Sequence, residues 1–200
     1  MGFTAPAWDS FFFDCLNRGL RHPILDAVMP ILSSAVFLWV LGAVIFVLAL
    51  RSNLKRNLIG VFILVAAVGL SDLGTNLLKK RVARVRPLNA LPGTYFIEDG
   101  QWSVRPENFT PTKEKGTSFP SAHAANAMAA AWIAFLLWPR TRKFIFLLPL
   151  AVGCSRVYLG KHYPLDVFGG WVFGLAAAGL VYVLVRKKWA RLGVPVRDQS

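Results

Sequence analysis

Ile31–Leu50 is a run of twenty residues without a charged side chain. At 1.5 Å of rise per residue, a helix of that length crosses about 30 Å of hydrocarbon. Lipid offers no hydrogen-bond partners, so a backbone placed there must satisfy its own polar groups, and a single segment does so as a helix. Four further apolar stretches follow, at 58–78, 121–138, 144–160 and 165–185. The pattern predicts an all-α integral membrane protein with five transmembrane helices, spanning residues 1–200 as one domain. The 121–138 stretch is rich in alanine and fit for close packing, and Gly170 and Gly174 give the last span a small-xxx-small face for helix packing within the chain.

Residues 7–22 are too short and too charged to be a sixth crossing. Trp8, Phe11, Phe12, Cys15 and Leu16 share one helical face there, with Asp9 and Asn17 elsewhere. That is the pattern of an amphipathic helix lying in the membrane interface, or of a helix packed on the spans. Pro23 is expected to end it. Asp9 and Asp14 and the lack of a basic start argue against a secretory signal. Residues 88–119 read as a polar loop with several Pro and Gly. Its Tyr95, Phe96, Trp102 and Phe109 suit the interface, and Arg105, Lys113 and Lys115 suit anionic head groups.

Five crossings put the short basic segments 51–56, 140–143 and 186–191 on one side of the membrane, the side expected to be cytoplasmic. Residues 79–120 and 155–164 then lie outside with the amino end, as in a bacterial inner-membrane protein facing the periplasm. The net charge is +13, from 23 Lys plus Arg against 10 Asp plus Glu. With no nucleic-acid-binding motif and with the basic residues set between apolar runs, the expected partners are membrane lipids and a lipid phosphate substrate. No nucleic acid and no obligate protein partner are expected. Cys15 and Cys154 are too few for a disulfide framework.

The outer side carries three polar clusters. The last is Ser155-Arg-Val-Tyr-Leu-Gly-Lys-His-Tyr-Pro-Leu-Asp166. Pro164 suits the first turn of a helix, where its missing N–H costs nothing. Asp166 then lies in that turn with His162 just before it, so the carboxylate can reach one imidazole nitrogen and leave the other free. Arg156 supplies fixed positive charge. The second cluster is Ser118-Phe-Pro-Ser-Ala-His123, in which Ser121 opens a helix whose free N–H groups favour an anion. The first runs from Lys79 to Pro87, with Arg84 and Arg86. Asp72, inside the second span, must be paired or neutral. It either supports the basic cluster from within or makes a structural hydrogen bond. Cations can neutralise the oxygens that repel a nucleophile from a phosphate ester, and two histidines can divide attack and proton transfer.

Lys79-x6-Arg86-Pro87, Pro120-Ser121-x-His123 and Ser155-Arg156-x5-His162-x3-Asp166 together resemble the phosphatidic acid phosphatase type 2 superfamily, which also includes vanadium haloperoxidases. The resemblance implies that Lys79, Arg86 and Arg156 grip the phosphate, with Ser121 and the amide of Ala122 helping. It implies that His162 is the nucleophile, that Asp166 orients it, and that His123 protonates the leaving oxygen. Arg84 and Asp72 are support residues at most. No metal and no cofactor are implied. The resemblance points to hydrolysis of a terminal lipid phosphate, such as that of undecaprenyl diphosphate, phosphatidylglycerol phosphate, phosphatidic acid or lipid A. Alternatives are a lipid phosphotransferase with the same site and a non-catalytic lipid-phosphate binder or flippase. One departure stands out: Ala122 occupies a position that is usually Gly. Alanine is strained there if the backbone needs positive φ, and fits if the residue is already in the helix.

Overall fold

The computed structural model describes residues 6–34, 36, 37, 42, 44, 47, 54–111 and 113–190. Most of the predicted first span, 31–50, lies outside these residues. The others of interest form helices α1 (Ala7–Asp14), α2 (Pro23–Leu32), α3 (Leu54–Val82), α4 (Ala122–Leu137), α5 (Leu147–Tyr158) and α6 (Pro164–Ala190), with one antiparallel hairpin, β1 (Tyr95–Glu98) and β2 (Gln101–Val104).

Two of these helices, α3 and α6, are long and apolar enough to cross a membrane by length and composition. Their outer faces leave Phe62, Val65, Leu73 and Leu77 of α3, and Phe168, Val172, Val183 and Leu184 of α6, exposed. Side chains of that size are left uncovered when the surrounding medium is itself apolar. The predicted spans at 121–138 and 144–160 form shorter helices, of 16 and 12 residues. At 1.5 Å per residue these cover about 24 and 18 Å, less than a full hydrocarbon thickness. Pro139–Thr141 makes a 3₁₀ turn, and turns continue to Phe146, so α5 begins later than its apolar run.

Between α3, α4 and α6 lies a core of Ile63, Ala67, Ala129, Ile133, Leu137, Ala178, Val181 and Trp189. The small residues of α4 bring α6 close. A side chain at Gly170 would meet the Ser121 carbonyl oxygen at 2.5 Å, and one at Gly174 would overlap that of Ala125. The small-residue face of α6 therefore packs within the chain, as expected.

The amino-terminal helix has the reverse of an ordinary amphipathic arrangement. Trp8, Phe11 and Phe12 are exposed, whereas Asp9 and Asn17 are buried beside Phe13. The apolar face points away from the rest of the protein, and the polar residues are the ones that dock it. Asn17 donates to the carbonyls of Tyr95 and Tyr158 at 2.9 and 2.7 Å and accepts from the Tyr95 N–H at 2.9 Å. After a π-helical turn at Cys15–Gly19, Pro23, expected to end the amino-terminal helix, instead opens a new one.

The 88–119 segment is more ordered than a plain loop. Tyr95 pairs with Val104 and Glu98 with Gln101 across a two-residue turn. Asp99 and Gly100 both take positive φ, 50° and 79°, which is the mirror-image turn that matches strand twist. Arg21 fastens the hairpin to the helices. Its guanidinium lies 4.6, 3.9 and 4.7 Å from the ring centres of Tyr95, Trp102 and Tyr158, and it pairs with Asp26 at 2.6 Å.

Candidate active site

Three chain segments are stitched together by their backbones where α3, α5 and the starts of α4 and α6 meet. Gly116 and Ser118 donate to the carbonyls of Ala83 and Arg84 at 3.0 and 2.9 Å, Leu88 to Gly160 at 3.1 Å, and Ser121 to Asp166 at 2.9 Å. These bonds fix the 83–88, 116–121 and 160–166 segments side by side. Ala83, with φ 52°, turns the chain out of α3. Gly160, with φ 66°, ends α5, and a side chain there would meet the Tyr95 carbonyl oxygen at 2.6 Å. The chain then folds back, so that the N–H groups of Lys161 and His162 both point to the Arg156 carbonyl, at 3.1 and 3.3 Å.

His162 is buried, and its Nδ1 lies 2.8 Å from the Ser118 carbonyl oxygen. A carbonyl only accepts, so Nδ1 carries the proton and the neutral ring keeps a lone pair on Nε2. Burial is the main reason that its pKa is pushed down to about 4, against the raising influence of Asp166. Asp166 Oδ2 stands 3.7 Å from Nδ1, near enough to act as a charge but beyond hydrogen-bond reach. The orienting bond that the sequence reading gave to Asp166 is thus made by the Ser118 carbonyl. Asp166 instead accepts from Ser118 Oγ at 2.5 Å and from the Tyr163 N–H at 2.9 Å on one oxygen, and from Arg84 at 2.5 Å on the other.

The structure brings the expected cations to this ring. Arg156 and Arg86 both act electrostatically on His162, and Lys79 on both arginines' neighbourhood from the last turn of α3. His123, half-buried at the start of α4, lies in the combined field of Arg156, His162, Lys79 and Lys161. Lys79 is half-buried and Lys80 exposed, so Lys79 is the one turned toward the site. Arg156 is further held by the Ser33 hydroxyl. Lys161 is a fourth cation, missed in the sequence because nothing in its spacing marks it. Burial, then Arg156 and Arg86, lower its pKa.

Ser121 caps α4, accepting from the Ala124 N–H at 3.5 Å. Ala122 is the first residue of that helix and is not among the described non-glycine residues with positive φ. Of the two conformations weighed for it, the helical one holds, and alanine fits. Asp72 accepts from Asn76 and from Asn126 of α4, both at 3.0 Å. It cross-links α3 to α4 two turns below Lys79, on which its charge also acts. Arg84 is buried and paired with Asp166 and with Asp9, each at 2.5 Å.

A sequence profile of the PAP2 superfamily matches residues 60–190. Lipid A 1-phosphatase of Rhizobium etli is 34% identical over 142 residues, covering 66% of this chain and 56% of the relative. The chain therefore spans little more than half the length of that relative. The crystal structure of Aquifex aeolicus LpxE superposes with a TM-score of 0.69 at 23% identity, over 92% of this chain and 99% of that one. A transmembrane PAP2-type phosphatidylglycerolphosphate phosphatase from Bacillus subtilis gives 0.59 at 26%, over 90% and 86%.

Proposed function

Because the chain belongs to the PAP2 superfamily, we propose that it is an integral membrane lipid phosphatase that hydrolyses the terminal phosphate of a lipid phosphate or diphosphate. The observation that carries this reading is the meeting of His162 and His123 in one field of cations, with the His162 proton held on Nδ1. Nε2 of His162 attacks phosphorus, the bond from phosphorus to the lipid oxygen breaks, and His123, which takes up a proton as the phosphate's negative charge enters the cation cluster, gives that proton to the oxygen. His123 then takes a proton from water as the water oxygen attacks the phosphohistidine, and inorganic phosphate leaves with Nε2 restored. Lys79, Arg86 and Arg156 balance the charge of the oxygens that gain it in each step. The N–H groups at the start of α4 and the Ser121 hydroxyl add donors.

In this reading the chain makes five crossings, with α1 in the interface and the site on the extracytoplasmic face, as in a bacterial inner membrane. The relatives' names include lipid A 1- and 4′-phosphatases, undecaprenyl-diphosphatases and a phosphatidylglycerophosphatase. Those lipids and phosphatidic acid form the natural test panel. Purified protein in detergent is expected to release inorganic phosphate from at least one, vanadate to inhibit, and His162→Ala to abolish release. Transfer of the phosphate to an acceptor without free phosphate would instead make the protein a phosphotransferase. Lipid-phosphate transport retained in His162→Ala would make it a binder or flippase.

A further inference from the structure

Asp9 is wholly buried in a helix whose large apolar side chains face outward. Its Oδ2 accepts from Arg84 at 2.5 Å, and its Oδ1 accepts from the N–H of Leu165, the second residue of α6, at 2.8 Å. Arg84, itself buried, spends its other terminal nitrogen on Asp166 at 2.5 Å and lies 4.0 Å from the ring centre of Tyr163. A row of Asp9, Arg84 and Asp166 therefore runs from the amino-terminal helix to within 3.7 Å of the His162 ring.

We propose that Asp9 and Arg84 are positioning residues of the phosphate-cleaving site: they fix the place and the net charge of the Asp166 carboxylate, and through it the turn that carries His162. The inference rests on the reading of His162 as nucleophile. Buried ions are a poor choice for mere adhesion, since apolar side chains of similar volume hold as well or better. What the row adds is charge. Two carboxylates on one guanidinium leave a single excess negative charge next to the imidazole. Losing Arg84 leaves two, losing Asp9 leaves none, and losing both restores one. The other groups facing the ring are Arg156 from α5, Arg86 from the segment after α3, and His123 from α4. Asp9 also ties the row to the membrane interface, because the helix that carries it exposes Trp8, Phe11 and Phe12.

The test is a titration of nitrogen-labelled histidine by NMR in the full chain in micelles, run beside phosphate-release kinetics. The chain has 3 histidines, and the His162 signal is the one missing from His162→Ala. Arg84→Gln is expected to raise the His162 pKa by about one unit or more, and to lower kcat about tenfold or more with KM within about twofold. Asp9→Asn, which keeps an acceptor for the Leu165 N–H, is expected to lower that pKa and to reduce kcat about threefold. The double variant is expected to titrate close to the parent. Unchanged His162 titration in the folded variants, with activity tracking only the amount of folded protein, overturns the proposal. If Arg84→Gln does not fold, an unmoved titration in Asp9→Asn overturns it alone. Should the parent protein release no phosphate from any lipid, the hydrolase reading fails, while the titration still decides the positioning role.

Discussion

The Asp166 carboxylate stands 3.7 Å from His162 Nδ1, and the hydrogen bond of that nitrogen goes to the Ser118 carbonyl at 2.8 Å. The tautomer of the imidazole is therefore set by a backbone group that no side-chain substitution removes. Asp166 contributes its charge and its grip on Ser118 Oγ, the Tyr163 N–H and Arg84.

Asp166→Asn should thus be milder than removal of an acid that alone holds the tautomer, a change that costs ~10⁴ in kcat where it has been made. Here the Ser118 carbonyl still holds the proton on Nδ1, and a loss of roughly 10²-fold in kcat is expected, from charge and from the altered bonds to the carboxylate. Ser118→Ala keeps the carbonyl and loses only the hydroxyl, so roughly a 3- to 10-fold loss is expected, in line with one charge-assisted hydrogen bond partly replaced. Steady-state phosphate release compares the two. Equal losses, or a larger loss for Ser118→Ala, would contradict this division of labour.

Lys79 and Lys80 are neighbours in the sequence with opposite placement, one half-buried among Arg86, Arg156 and Asp72, the other exposed. Lys79→Ala is expected to lower kcat/KM by roughly 10²-fold, the order seen when one donor to a developing oxyanion is removed. Lys80→Ala should stay within about twofold, because an exposed charge is screened by solvent. Kinetics of the two variants on one lipid decide the register of the first motif.

Much of this site was legible because its residues punctuate apolar runs. Pro164 marked the start of α6 and so placed Asp166 in its first turn, and Pro120-Ser121 marked the start of α4 beside His123. The hairpin had a readable signal, Asp99-Gly100 between aromatic and β-branched residues, that the density of polar residues around it obscured. The docking role of Asp9 was not readable, because helical periodicity identifies two faces without saying which one meets protein. Here the apolar face turns outward, and the acid on the other face docks. The Ser118 carbonyl and Lys161 were not readable, since backbone acceptors have no side-chain signature and Lys161 has no partner at a fixed sequence spacing.

With His162 as the proposed nucleophile, its titration sets the acid limb of the proposed reaction. The ring attacks only when neutral, and burial brings its pKa down to about 4. In the phosphate-free protein kcat/KM should therefore hold as pH falls below 6.5, the ordinary value, and be lost only toward 4. Stability has the same sign. Between those two pH values the unfolded chain binds the His162 proton and the folded chain does not, so this contribution is complete above 6.5 and shrinks as pH falls toward 4. A pH series of kcat/KM whose acid limb lies at or above 6.5 would contradict the assignment.

Two glycines of α6 should respond oppositely to the same substitution. A methyl group at Gly174 would overlap the Ala125 carbonyl oxygen, a backbone atom of α4 that cannot swing aside, whereas at Gly179 nothing lies within 4 Å of the position. Gly179→Ala removes unfolded-state freedom at no steric cost, and a gain of about 0.5–1 kcal/mol is expected. Gly174→Ala must push α4 and α6 apart, at a cost of roughly 1–3 kcal/mol for overpacking. The displacement carries further than stability, because α4 holds His123 and α6 holds Asp166, and the Ser121 N–H bridges them at 2.9 Å. A shift of about 1 Å between reacting groups can cost roughly 10²-fold in rate. Thermal unfolding in detergent, with phosphate release measured on the folded fraction, should show Gly179→Ala stabilised and fully active, and Gly174→Ala losing more activity than its loss of folded protein explains.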